Sequence, residues 1–225
     1  MSIRRAIVVA AFLALASTRV FAAADEAEAM NRMGILYATG TGVPKDYTAA
    51  LAWYHRAAEN GSTTAMNNIA TMYFHGLGVP QSYDEAVKWL RQAIEHGDAA
   101  AQNKLGAMYE DGLGVEQSAH DAFELFNLAA AQGYAPGMAN LGRAYARGNG
   151  VKRDEIRGYA LISAAVEIGL PRGDRDAAVY ELGALSQRLS ARQLERAQAD
   201  TRALMDTRSK ESTIGPVSAR NEYRL

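Results

Sequence analysis

Ala65–Gly97 reads AMNNIATMYFHGLGVPQSYDEAVKWLRQAIEHG, and the same pattern recurs before and after it at a fixed interval of 36 residues. Tyr37, Tyr73, Tyr109 and Tyr145 are in phase. So are Gly40, Gly76, Gly112 and Gly148, then Gly42, Gly78, Gly114 and Gly150, and Val43, Val79, Val115 and Val151. Self-similarity at such a period marks a solenoid, an array of units that cannot bury their apolar faces alone and must stack to do so.

Spacing within one unit predicts its structure. Ala65, Ile69, Met72 and Tyr73 stand at i, i+4, i+7 and i+8, one face of a helix, and Gly76 ends it. Ala86, Trp89, Leu90 and Ala93 form a second helical stripe, closed by Gly97 in the position that favours a left-handed residue. Small residues recur where the helices must approach closely, at Ala70, Gly106 and Gly142 and at Ala57, Ala93, Ala129 and Ala165. Asp46, Ser82, Ser118 and Asp154 are side chains suited to capping the start of the second helix. Each unit is therefore an antiparallel helical hairpin. The paired glycines do not predict a phosphate loop, because they follow a helix C-terminus, where the dipole presents carbonyl oxygens rather than free N–H groups.

Outside the repeats, residues 1–24 read as a signal peptide. Arg4 and Arg5 precede the apolar run Ala6–Ala16, which is shorter than the roughly 20 residues that span a bilayer. Val20-Phe21-Ala22 and Ala22-Ala23-Ala24 then each offer the small-x-small pattern that suits a signal peptidase. No later segment reads as a membrane span, and the chain has no cysteine, so neither a lipoprotein anchor nor a disulfide framework is expected. The reading is a periplasmic or secreted protein, most simply of a Gram-negative bacterium. Residues 25–142 carry 6 Lys+Arg against 14 Asp+Glu, whereas residues 143–225 carry 15 against 11. An acidic half followed by a basic one can orient a charged partner, but it supplies no continuous basic stripe for nucleic acid.

The repeat also resembles a known family. Leu105-Gly106-Ala107-Met108-Tyr109-Glu110-Asp111-Gly112-Leu113-Gly114-Val115 and Ala50-Leu51-Ala52-Trp53-Tyr54-His55-Arg56-Ala57 look like the Sel-one-like repeat (SLR). The related tetratricopeptide repeat has a period of about 34 and lacks the Gly-x-Gly-Val turn. The resemblance covers roughly residues 28–170 in four copies, with local departures at Ala70, Leu125, Leu161, Ala119 and Glu155. It implies an all-α fold, a right-handed α/α superhelix of four 36-residue helical hairpins across residues 25–170. It also implies a non-catalytic adaptor for a protein partner, in a regulatory or toxin-neutralising role. The alternative is a weak hydrolase or a binder of cell-wall or β-lactam ligands, although the family's β-lactam-linked branch is cysteine-rich and this chain is not.

Beyond Gly169 the period is lost. Asp174–Leu189 remains amphipathic, and Ser190-Ala191-Arg192-Gln193 is a capping box that starts a further helix, expected to end near Met205. Capping helices are expected across 171–206 and a flexible tail across 207–225.

In a superhelix, first-helix residues opposite the apolar stripe line the concave surface. Those positions are Asn31 and Ile35, then Asn67, Thr71 and Phe74, then Asn103, Ala107 and Glu110, and then Arg143. Asn31, Asn67 and Asn103 stand in phase, and an asparagine both donates to and accepts from an extended peptide. Repeat duplication alone would also put them in phase, and Phe74 is equally suited to packing on a turn. His55, His75, His96 and His120 show no metal-ligand spacing, and no nucleophile motif occurs. No cofactor, metal or nucleic acid is expected, and the chain is expected to act as a monomer.

Overall fold

The computed structural model describes residues 25–214, with side chains to residue 208. The signal peptide expected at 1–24 and residues 215–225 of the expected tail lie outside the described residues. Every element described is a helix: α1 (25–39), α2 (Tyr47–Glu59), α3 (Thr63–His75), α4 (Tyr83–Glu95), α5 (Ala99–Asp111), α6 (Ala119–Ala131), α7 (Ala135–Arg147), α8 (Glu155–Ile168), α9 (Arg172–Arg188) and α10 (Ala191–Ile214). The fold is an all-α helical repeat, with hairpins α1–α2, α3–α4, α5–α6 and α7–α8.

Each hairpin is set by a few local interactions. The capping side chains of Asp46, Ser82, Ser118 and Asp154 accept from the backbone N–H of Ala49, Glu85, Asp121 and Arg157, satisfying a donor that the helix cannot use. The backbone N–H of each capping residue in turn donates to the carbonyl of the in-phase tyrosine, Tyr37, Tyr73, Tyr109 or Tyr145, at 2.8–3.0 Å. The linker is thereby closed on the backbone of the preceding helix. Gly76 and Gly148 end their helices in the left-handed conformation. Ala57, Ala93, Ala129 and Ala165 are all 0% exposed, and the linker after each of the first three folds back, the N–H groups of Ser62, Asp98 and Tyr134 donating to the carbonyls of Ala57, Ala93 and Ala129.

The chain divides into two compact units, one made of residues up to Ala101 with Leu113–Glu116, the other of Gln102–Gly112 with Gln117 onward. In the first unit, Tyr54, Ile69 and Leu90 are buried, as are Met30, Met66, Met72 and Val87. Trp89, placed by the sequence reading on the apolar stripe, is half-buried and meets the His55 ring edge-on at 5.1 Å. In the second unit Phe126, Met138, Leu141, Tyr145, Leu161 and Ile162 form a cluster with Leu185 of α9. α7 and α8 pack backbone to backbone, since a Cβ on Gly158 would lie 2.8 Å from the Gly142 carbonyl oxygen.

The C-terminal part departs from expectation in two ways. The register does not end at Gly169: Ser190 stands 36 residues after Asp154 and caps α10, its N–H donating to Gln193 Oε1 at 2.9 Å. What is lost is the Gly-x-Gly turn, so α9 continues to Arg188. α10 then packs chiefly on α8. It buries Ala197 and Thr201, whose hydroxyl donates to the Ala197 carbonyl at 3.0 Å. Arg208 Nη1 donates to the Gly133 carbonyl at 2.6 Å. The expected tail from 207 is therefore helical as far as Ile214, because α10 has α8 to lie on and Arg208 anchors its later turns.

Candidate functional site

Two of the expected partner-binding residues are structural. Asn31 is 2% and Asn67 5% exposed, so neither presents its amide on an open surface. Asn68 Nδ2 donates to Asn31 Oδ1 at 3.0 Å, and Asn140 Nδ2 donates to Asn103 Oδ1 at 2.9 Å. In both pairs the partners are 37 residues apart, so the asparagine ladder joins one hairpin to the next. Asn67 Nδ2 donates to Asp98 Oδ1 at 2.7 Å, and the same oxygen caps α5 through Ala101 N–H. The side chain in phase with Asn67 in the next copy is half-buried Asn103. Asn68→Ala should lower the stability of the first unit by about 1–2 kcal/mol, because it leaves a buried carboxamide without its donor. Denaturant unfolding measures this, and an unchanged midpoint would show that the ladder does not hold the hairpins together.

The remaining positions are more open. In the first unit Ile35 is 40% exposed on α1, and Thr71, half-buried on α3, donates to the Asn67 carbonyl at 2.9 Å. Phe74 is half-buried, its ring packed on His75 at 4.9 Å and on Tyr83 at 5.2 Å. It closes its own hairpin, and its carbonyl accepts from Gln81 Nε2 at 2.7 Å.

In the second unit Ala107 and Glu110 are half-buried on α5, and Arg143 is half-buried on α7. Burial, and next the Asp111 carboxylate, push the Glu110 carboxyl above the usual carboxylate range, against the pull of Arg147, Arg143 and a hydrogen bond from Asn149. Arg143 is held on two sides: its Nε donates to Glu181 Oε2 at 2.8 Å and its Nη1 to Asn140 Oδ1 at 2.7 Å. Arg147 reaches the other oxygen of Glu181 at 2.9 Å. The sequence reading missed Arg147, Glu181, Asn68 and Asn140. The signal available was separation, since these cross-hairpin partners lie 34–38 residues apart, close to one period.

Among the described residues no group of three or more His, Asp or Glu is placed to hold a metal ion, and no helix is long and apolar enough to cross a membrane. The side chains at the open positions offer contact and charge rather than a reacting pair, which is what a helical-repeat binding scaffold presents. The repeats define the family: the Sel1 repeat matches residues 27–62, 63–98, 99–134 and 135–170, and the chain belongs to the Sel1 repeat family. Proteins of this family generally mediate protein–protein interactions and are generally non-catalytic.

Two solved structures are similar to the chain. One is a protective antigen of uropathogenic Escherichia coli displaying an SLR fold, 27% identical over 88% of this chain and 43% of that one, with a TM-score of 0.71. The other is a Sel1 repeat protein from Oxalobacter formigenes, 30% identical over 82% of this chain and 73% of that one, with a TM-score of 0.67. The chain thus spans less than half the length of the first. Among curated protein sequences none matches it.

Proposed function

We propose that this chain is an exported, non-catalytic scaffold that binds a protein partner through the open positions of its first helices, in the periplasm of a Gram-negative bacterium. A regulatory or toxin-neutralising role fits such a scaffold. One observation carries the reading. At a single register position the first helices present Ile35, Thr71, Ala107 and Arg143, four different chemistries, while Ala57, Ala93, Ala129 and Ala165 are identical and fully buried. Stacking demands sameness at the second set and leaves the first set available for recognition. The positively charged start and short apolar run before Asp25 support export.

Crosslinking with mass spectrometry in the native envelope tests the proposal. The chain should yield crosslinks to a protein, and Ile35→Glu in the first unit or Ala107→Arg in the second should reduce them at least tenfold with an unchanged melting temperature. Crosslinks that survive both changes, or their absence from the wild-type chain, would reject the binding surface. Hydrolysis of a chromogenic β-lactam above background would reject the non-catalytic assignment.

A further inference from the structure

The second unit contains a groove of about 380 Å³ whose chemistry is narrower than that of a general binding surface. Its rim carries Arg143 and Arg147 from α7, Arg153 from the linker that follows, and Arg188 from the end of α9. Glu181 is the one acidic residue of the lining, and Ile162 and Leu185, both buried, supply an apolar floor.

Four guanidinium groups share two carboxylates there. Glu181 bridges Arg143 and Arg147, and Glu155 bridges Arg153 and Arg188, the latter at 3.2 Å. Glu110, on which Arg143 and Arg147 also pull, offsets part of the remainder, so the rim keeps a net positive charge. Arg147, Arg153 and Arg188 remain 60%, 58% and 52% exposed, so their outer edges face solvent. A guanidinium has five N–H donors in a planar fork, and one carboxylate oxygen occupies few of them. The glutamates hold the forks in place without exhausting them. Low-dielectric side chains beneath such a rim strengthen its field, and a groove of this size takes a few residues of an extended chain.

We infer that this arginine-rimmed groove binds an acidic segment of the protein partner, with the partner's carboxylates completing the coordination that Glu181 and Glu155 begin. The inference rests on the scaffold reading and gives it a partner chemistry. A protein segment is preferred to nucleic acid because the scaffold reading already supplies a protein partner, and the oligonucleotide arm of the test separates the two.

Fluorescence anisotropy with two labelled octapeptides, one rich in Asp and Glu and the other its Asn and Gln counterpart, provides the test. The acidic peptide should bind at least tenfold more tightly than the neutral one and weaken as salt rises. Arg147→Gln and Arg188→Gln should each weaken it about tenfold at unchanged melting temperature, the scale of one charge-assisted contact. Glu181→Gln should tighten it several-fold, because it removes a competing internal carboxylate. Equal binding of the two peptides, indifference to both arginine changes, no gain from Glu181→Gln, or preferential binding of inorganic phosphate or an oligonucleotide would each overturn the inference. If envelope crosslinks persist while the acidic peptide fails, the groove is rejected and the scaffold stands; if the crosslinks are absent, the scaffold itself fails.

Discussion

Gly150→Ala is expected to destabilise the second unit by about 3 kcal/mol, whereas Gly148→Ala, two residues earlier in the same turn, should cost about half as much. Both glycines have positive φ, +69° and +80°, so either alanine pays about 1–2 kcal/mol for its Cβ in the left-handed region. Their surroundings differ. A Cβ on Gly148 would meet the Arg153 Cβ at 3.2 Å, which a small shift relieves, but one on Gly150 would lie 2.0 Å from the Ala119 carbonyl oxygen. That oxygen belongs to the first turn of α6, so the backbone itself must move, adding about 1–3 kcal/mol. Denaturant unfolding of the two variants decides the matter, and equal losses would show that backbone conformation alone explains the motif. Gly78 and Gly114 repeat the arrangement, a Cβ on either lying under 3 Å from Tyr47 or Tyr83, while one on Gly42 in the first copy would meet nothing within 4 Å among the described residues. The second glycine of the motif is thus where one hairpin seats on the start of the preceding second helix.

That seating explains which parts of the molecule could be read from the sequence. Period, helix faces and caps are local properties, and stacking imposes them on every copy, so Tyr73, Ser82, Ala93 and Gly76 announce themselves by recurrence. The open surface is different. Viewed alone, with an apolar side inward and a polar side outward, the first helix puts Asn31 and Asn67 on that surface. In a repeat array the first helix is covered twice, once by its own hairpin partner and once by the next copy, so a polar residue in phase can be a buried bond between copies. The same reasoning accounts for Ser190, whose register survives although its turn motif is gone. The arginine groove was hidden for another reason, since its members recur in no other copy, and only their separation of about one period, as between Arg147 and Glu181, connects them.

Phe126→Ala should be the most damaging single change, a loss of about 4 kcal/mol, because Phe126 is completely buried and its truncation leaves a cavity in the core. A more discriminating experiment uses its partner across the hairpin. A Cβ on Gly106 would stand 2.7 Å from the Phe126 ring, and the equivalent pairs, always 20 residues apart, are Gly34 with Tyr54 and Gly142 with Ile162, each with the same conflict. In the second copy the pair is Ala70 with Leu90, both buried. Helix–helix distance at this position is therefore held by trading volume across the pair. Gly106→Ala alone should cost about 1–2 kcal/mol, the clash outweighing the roughly 1 kcal/mol gained in helix propensity. Phe126→Leu alone should cost about 1–2 kcal/mol for the space it opens. Combined, they reproduce the second copy's solution, so the double variant should lose at least 1 kcal/mol less than the sum of the two single losses. Strict additivity would mean that Ala70 and Leu90 coincide by chance, and that the hairpin tolerates either side chain without regard to the residue it faces.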